Sequence, residues 1–525
     1  MKKIFSHLIT ALCALSSLFS QAPAIQWQNT IGANFDDYLF AIQQTADGGY
    51  ILGGYSNSSI SGDKTENPLG GHADDWVVKL DATGAIQWEN TIGGSGYEYI
   101  NSIQQTTDGG YILGGSSDSN ISSDKTENCL GDLDFWVVKL DANGAFQWQN
   151  TIGGSDYDAL YVVKQTADGG YILGGSSKSN ISGDKTDDSF GDEDYWLLKL
   201  DATGNIKWQR TIGGSDFDVL NSLQQTADGG YILGGYSASD ISGDKTENSL
   251  GIDDYWVLKL DSIGIIQWQN TIGGNGIDEL KSLQQTADEG YILGGNSYSN
   301  ISGDKTEDNL GVLDYWIVKL DATGAIQWQN TIGGDFHDFF STIQQTAEGG
   351  YILGGTSDSY ISGDKTEDSD GSGDYWVLKL DSIGIIQWQN TIGGSGYDGI
   401  SSLQQTADGG YILGGFSESN ISGDKTEDSH GSTDYWVIKL APETVPTGEA
   451  PTAPTALTFY PNPATNVLFV QSEAATTLSL KNVFGQVLST QTIQRQGEID
   501  LSHYPNGIYF LVEMETGIGH KILKN

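Results

Sequence analysis

The sequence predicts an all-β protein built as a seven-bladed β-propeller, followed by a small Ig-like β-sandwich. Three observations carry the prediction. First, Gly-Tyr-Ile-Leu-Gly-Gly recurs, with its Tyr at 50, 111, 171, 231, 291, 351 and 411; after one 61-residue step the period is 60. Second, all 14 Trp fall into two sets that keep this period, Trp76 to Trp436 and Trp27 to Trp388. Third, each period holds four short strand-like runs separated by polar or Gly-rich turns, as a propeller blade requires.

The chain has 525 residues and a net charge of -44, and 62 of its 69 acidic residues lie between 25 and 440. Hydrophobic residues make up 37% and aromatics 10%, enough for a packed core. Charge of this sign argues against nucleic acid and anionic membrane surfaces as partners. With only Cys13 and Cys129, neither a disulfide framework nor a thiolate metal cluster can form.

Residues 1–24 read as a secretory signal peptide. Lys2 and Lys3 precede an apolar stretch from Leu8 to Phe19, and Ala22-Pro23-Ala24 fits a small-residue cleavage site. No later run reaches the length of a transmembrane helix.

Residues 25–440 hold the repeats. In the unit around Tyr231, strand A is expected over 221–226, strand B over 231–237, strand C over 254–260 and strand D over 265–272. Ala227-Asp228-Gly229-Gly230 supplies a tight A–B turn, and Asp261-Ser262-Ile263-Gly264 a tight C–D turn. A long polar loop joins B to C. The repeat region opens on a lone strand D (Ile25 to Ile31) and closes on a strand C (Asp434 to Leu440). The first strand is therefore expected to complete the seventh blade, which removes an open sheet edge. Both Trp sets are expected to pack between blades.

Residues 441–455 carry four of the nine Pro and form a semi-rigid linker. Alternating apolar runs such as Val467-Leu468-Phe469-Val470 and Ile508-Tyr509-Phe510-Leu511-Val512 then indicate a separate small β-domain over 456–525.

Two resemblances add to this reading. Phe459-Tyr460-Pro461-Asn462-Pro463-Ala464, Asn482-Val483-Phe484-Gly485-Gln486-Val487, Tyr504-Pro505-Asn506-Gly507-Ile508 and the closing Lys521-Ile522-Leu523-Lys524-Asn525 resemble the C-terminal sorting domain of type IX secretion in Gram-negative bacteria. The resemblance implies export by that machinery through residues 456–525, and release or attachment at the outer-membrane surface. It places the sorting motif at Tyr460, Pro461, Asn462, Pro463, Gly485, Asn506, Gly507 and Lys521. The 60-residue unit in turn is similar to the bacterial β-propeller repeat family called SBBP. Trp-x-x-(Thr/Arg)-Ile-Gly-Gly, Asp-Gly-Gly-Tyr, Gly-Gly-x-Ser and Asp-Tyr-Trp-x-x-Lys-Leu-Asp carry that likeness. It implies the fold and no particular activity.

Acidic residues recur at three places. Asp37, Glu98, Asp158, Asp218, Asp278, Asp338 and Asp398 fall between strands D and A. Asp63, Asp124, Asp184, Asp244, Asp304, Asp364 and Asp424 stand in the Asp-Lys-Thr loop. Asp75, Asp134, Asp194, Asp254, Asp314, Asp374 and Asp434 precede the strand C aromatics. The loop set is the candidate calcium site, since it offers oxygen ligands once per blade, although without EF-hand spacing. The competing reading is turn capping and pairing to the loop Lys. No cofactor is required by any motif.

The B, C and D strands barely vary, whereas the D–A and B–C connections do. In an up-and-down blade these two connections share one face. Their aromatics Tyr97, Tyr157, Phe217, Phe336 and Tyr397 are therefore the candidate ligand-binding residues. No nucleophile–base constellation stands out. The expectation is a monomeric, non-enzymatic binding or adhesion module for an extracellular glycan or protein, with several similar sites. The alternatives are a polysaccharide hydrolase or lyase on the same scaffold, and a passive surface protein.

Overall fold

A computed structural model describes residues 21–70, 73–443, 457–460, 464–472, 475–481, 487–505, 507–513 and 519–524. The chain divides into two units, Met1–Glu443 and Thr444–Asn525. No helix occurs among the described residues.

The first unit consists of seven four-stranded antiparallel sheets. The fourth is typical: strand A is Asp218–Gln225, strand B Tyr231–Ser237, strand C Asp254–Leu260 and strand D Ile266–Ile272. Strand A begins three residues before its expected start, because Asp218 pairs with Ser237 before the strand bulges between Leu220 and Ser222. The first acidic set thus opens strand A instead of lying in the preceding connection. The seventh sheet has the expected composite make-up. Ile25–Ile31 pairs antiparallel with Asp434–Leu440, from Ile25 opposite Leu440 to Ile31 opposite Tyr435.

The sheets close into a ring. The seven A strands line one central channel, to which Gln43, Gln104, Gln224, Gln284, Gln344 and Gln404 contribute. At its end the amide of Ala46 donates to Gln105, that of Ala227 to Gln285 and that of Ala407 to Gln44, at 2.8, 2.9 and 2.8 Å. The last of these joins the seventh sheet to the first. A second series uses the preceding glutamine: the Gln105 amide donates to Gln43, that of Gln165 to Gln104, and that of Gln44 to Gln404. Lys164 interrupts this series where the other repeats have Gln.

Each blade interface is a separate apolar core. Between the fourth and fifth blades, Ile232, Tyr255 and Val257 pack against Leu280, Leu293, Trp316 and Val318. The strand C Trp are fully buried. The strand D Trp lie on the outer strand and are half-buried, except for the buried Trp388. Their rings meet the strand B Tyr of the next blade edge-on, as Trp268 meets Tyr291 at 5.7 Å. Both Trp sets therefore pack between blades. Gly235 illustrates why strand B needs Gly: a Cβ there would strike the Val219 carbonyl and the Tyr195 hydroxyl.

The second unit has a three-stranded sheet (Thr458–Tyr460, Val467–Gln471, Gln496–Asp500) and a four-stranded sheet (Val487–Ile493, Thr476–Lys481, Gly507–Glu513, Gly519–Lys524). Leu468, Val470, Leu478, Leu480, Ile499, Leu511 and Ile522 form their common core. Of the sorting-motif residues, Tyr460 is exposed and stacks on Phe469 at 5.7 Å, and Gly507 and Lys521 lie in strands. Pro461, Asn462, Pro463, Gly485 and Asn506 lie outside the described residues, as do residues 1–20 of the expected leader.

Candidate functional site

The repeated acids are clasps for the loops of the propeller. Strand register sets Asp218, Ser237 and Asp254 side by side at one end of the blade. Asp218 Oδ2 accepts the Gly214 amide at 2.6 Å and the Ser239 hydroxyl at 3.1 Å. Asp254 Oδ2 accepts the Leu250 amide at 2.5 Å. Equivalent bonds recur, from Asp158 with Gly154 to Asp434 with His430. In the first blade the residue with this role is Asp74, which accepts the Leu69 amide at 2.7 Å. Asp75 is the odd member: it occupies the position that holds Tyr or Phe in the other blades, opposite Tyr55. It is buried and accepts the Ile100 amide of the next blade.

The Asp-Lys-Thr loop is engaged in the same manner. The Asp304 amide donates to the Gly273 carbonyl at 2.8 Å, and the Gly273 amide returns to Asp304 Oδ2 at 3.4 Å. Asp63, Asp124, Asp364 and Asp424 repeat the exchange with Gly32, Gly93, Gly333 and Gly393. Asp184 does so with Gly153, and Asp244 with Gly213. The following Glu caps strand D, as Glu307 accepts the Thr331 amide at 2.7 Å. Among the described residues no three His, Cys, Asp or Glu side chains converge as a metal site would need. The loop carboxylates hold backbone amides where the calcium reading needed them to meet one another.

The loop Lys is buried beneath this layer. Lys305 Nζ lies 5.5 Å from the Trp316 ring centroid, and all seven repeats keep the pair. Burial lowers Lys185, Lys305 and Lys365 to about 8. Burial likewise raises Asp37, Asp194 and Asp314 to about 6, and Asp74 and Asp374 to about 7. On the opposite face, Asp228 in the A–B turn binds the buried Lys259 at 2.9 Å. Desolvation is the largest single influence on Asp228, but the hydrogen bonds from Thr226, Lys259 and the Gly230 amide, with the Lys259 charge, together outweigh it and hold Asp228 down to about 2.

The side chains that differ between repeats do something else. A cavity of about 660 Å³ opens on the face of the D–A and B–C connections, across the second to fifth blades. Tyr157, Tyr161, Phe217 and Tyr236 supply its aromatic walls. Asp132, Asp156, Glu193, Asp253 and Glu279 bring five carboxylates against one lining cation, Lys178. The Lys178 ammonium sits 5.6 Å from the Tyr157 ring and 5.7 Å from that of Phe217, and 3.8 Å from Glu193. Beside the cavity, Lys281 pairs with Glu279 at 2.9 Å and lies 5.8 Å from the Tyr236 ring. Burial raises Glu193 and Asp253 above the usual carboxylate range.

Local structure explains which residues reach the cavity. Residues 97, 157, 217, 277, 337 and 397 each bridge to the residue before strand C of the preceding blade, as Phe217 does to Glu193. This parallel bridge fixes the backbone and leaves the side chain free to vary. The position after Gly-Gly has two uses. Ser116, Asn296 and Thr356 accept the amides of Leu160, Phe340 and Ile400. Tyr55, Tyr236 and Phe416 carry rings instead.

Of the five aromatics expected at the site, Tyr157 and Phe217 line the cavity. Tyr97, Phe336 and Tyr397 do not. Tyr97 stacks on Tyr99 at 5.8 Å, and Tyr397 on Phe416 at 5.9 Å. They end a chain of rings through Phe416, Tyr38, Tyr55 and Tyr99 on the seventh, first and second blades. Phe336 precedes the equivalent position, which His337 occupies. Sequence reasoning missed Tyr161, Lys178, Glu193, Asp253 and Glu279. Each departs from its repeat equivalents, so deviation alone, without restriction to aromatics, would have found them. Where the repeat led to the expectation of several similar sites, the lining of this cavity is drawn from the second to fifth blades and does not repeat around the ring.

Residues 458–524 match the family described as the secretion system C-terminal sorting domain. The chain therefore carries a type IX sorting domain at its C-terminus and is a secreted or cell-surface protein. Among curated proteins, the regulatory protein FlaEY of Caulobacter vibrioides is 20% identical over 409 residues, covering 71% of this chain and 42% of FlaEY. Solved structures with similar folds include puromycin hydrolase (12% identity, 87% of this chain, 62% of that chain, TM-score 0.44). The Pan2 WD40 domain of Neurospora crassa (10%, 76%, 88%, 0.40) and YCF48 bound to D1 peptide (9%, 82%, 99%, 0.40) are also similar.

Proposed function

We propose that the chain is a cell-surface-displayed propeller that binds an extracellular glycan or protein without altering it chemically. In this reading residues 1–24 are a removed leader, 25–440 the binding domain, 441–455 a spacer and 456–525 the export address. One observation carries the proposal: on the varied face, Tyr157, Tyr161, Lys178, Glu193, Phe217 and Tyr236, all at positions that differ between repeats, line one cavity with aromatic walls and fixed charges. Concave sites of this make-up are the usual form of a ligand pocket. The invariant acids are occupied with loop amides and leave the non-repeated ones to recognise a ligand.

The test is to screen the full-length protein against arrayed glycans and surface proteins, beside Phe217→Ile and Tyr157→His. These variants adopt the side chains of the fifth and sixth blades at the equivalent positions, Ile277 and His337, so the scaffold tolerates them. Binding that both variants lose supports the reading. Cleavage of a polysaccharide panel that Glu193→Gln or Asp253→Asn abolishes would establish the hydrolase or lyase reading instead. Ligands indifferent to all four variants would remove the cavity from the account.

A further inference from the structure

The charge and the rings of the cavity narrow its ligand further, on the premise that it is the binding site. Five carboxylates line it against one lysine, within a repeat domain whose acids outnumber its bases 62 to 19. An anionic ligand is repelled at long range, and nothing in this charge selects a neutral one. The cavity also already contains a cation. Lys178 reaches in from the residue after strand B and lies between the faces of Tyr157 and Phe217, with Glu193 beside it. At the same repeat position the other blades have Asn57, Asp118, Ala238, Tyr298, Asp358 and Glu418, so this lysine is peculiar to the cavity. Two ring faces and a carboxylate around an ammonium form an aromatic cage for a cationic group. Asp132, Asp156 and Asp253 have no Lys or Arg at ion-pair distance among the described residues, so charge remains for a second cation.

We propose that the cavity receives the lysine or arginine side chains of a basic segment on a partner protein, one of which displaces Lys178 from between Tyr157 and Phe217. Lys178 is then a tethered competitor. It keeps the cage ordered when empty and sets a threshold that a single stray amine does not pass. A segment with several cations gains both the cage and the carboxylates of Asp132, Asp156 and Asp253, which no Lys or Arg pairs with among the described residues.

The experiment is calorimetric titration of hexalysine and hexaarginine into the full-length protein at physiological salt. Lys178→Ala, which copies Ala238, should tighten binding by about threefold or more, since the competitor is gone. Phe217→Ile should weaken it by about fivefold. Asp253→Asn with Glu279→Gln should weaken it by about tenfold, whereas Asp240→Asn with Asp428→Asn, equal in charge and exposed outside the cavity, should change it by less than about twofold. Equal weakening by the two charge pairs would mean that the general acidic field alone holds the peptide, and would overturn the inference. So would weaker binding by Lys178→Ala, or no binding by the parent protein. If a neutral oligosaccharide binds in a Phe217-dependent manner while the basic peptides do not, the cationic ligand is wrong and the binding-module reading stands. If neither kind of ligand depends on Phe217, both fall.

Discussion

The hydroxyl of Tyr435, in the last strand of the repeat region, donates a 3.0 Å hydrogen bond to the backbone carbonyl of Trp76 in the first blade. The same bond joins Tyr195 to Trp256, Tyr255 to Trp316 and Tyr375 to Trp436. It fails at three interfaces for three reasons. Phe135 has no hydroxyl, Asp75 has no ring, and the Tyr315 hydroxyl is unpartnered where Phe340 packs 5.3 Å from its ring. Tyr435→Phe should therefore destabilise the propeller by about 1 kcal/mol, and Phe135→Tyr should stabilise it by a similar amount. Denaturant unfolding monitored by Trp fluorescence reads both. Equal and unchanged midpoints would show that these bonds do not couple the blades.

Glu289 takes the A–B turn position that Gly holds in the other repeats, with φ +66° against +84° to +88° at Gly48, Gly109, Gly349 and Gly409. A side chain in the left-handed region is strained, and Gly relieves it. Glu289→Gly should raise stability by about 1 kcal/mol, whereas Gly229→Glu in the neighbouring repeat should lower it by a similar amount. A melting-temperature comparison of the two variants settles the sign.

The buried carboxyls make the propeller more stable in mild acid. Burial raises five Asp to between about 6 and about 7, so over the window from their usual 3.8 upward the folded chain holds more protons than the unfolded one. Their contribution is unfavourable above about pH 7 and is relieved as pH falls toward 4. The A–B turn ion pairs act oppositely. Asp47 and Asp228, held down to about 2, lose their pairs only as pH drops below 3.8. Around pH 8 the lowered Lys185, Lys305 and Lys365 offset the carboxyls, so melting temperature should rise from about pH 7 to about pH 5 and fall sharply below about pH 4, and the rise should survive about 1 M salt, which screens surface repulsion but not buried groups. A flat profile in high salt would contradict the burial argument.

Chelation should not change the melt. Asp244 and its equivalents spend their carboxylates on the amides of Gly213 and its equivalents. The expected cost of Asp304→Ala is about 1–2 kcal/mol, from the lost clasp. A fall in melting temperature with EDTA, restored by calcium, would reinstate the metal reading.

The fold was legible because it is written seven times. The recurring Tyr-Ile-Leu-Gly-Gly and Asp-Tyr-Trp runs between turn residues marked strands B and C to the residue, and the phase of the repeat foretold that Ile25–Ile31 would complete the last blade. Strand A was misplaced because Asp218 reads as a loop acid, and only register with Ser237 makes it a strand residue. Asp75 was assigned to the wrong column because two Asp stand together in the first blade, and pairing to Tyr55 resolves them. The cavity was half legible. That the varied connections share a face follows from topology, but which deviant residues meet depends on the angle between blades. A search among aromatics alone found Tyr157 and Phe217 and passed over Lys178 and Glu193, which sit with them.

The most direct test maps where a ligand lands. Take the tightest binder from the array, or hexalysine, and measure amide hydrogen exchange across the full-length protein with and without it. Added protection is expected only in the segments around Asp132, Asp156–Tyr161, Lys178, Glu193, Phe217–Val219, Tyr236, Asp253 and Glu279, on the second to fifth blades. Protection spread evenly over all seven repeats, or on the A–B and C–D turns of the other face, would contradict it.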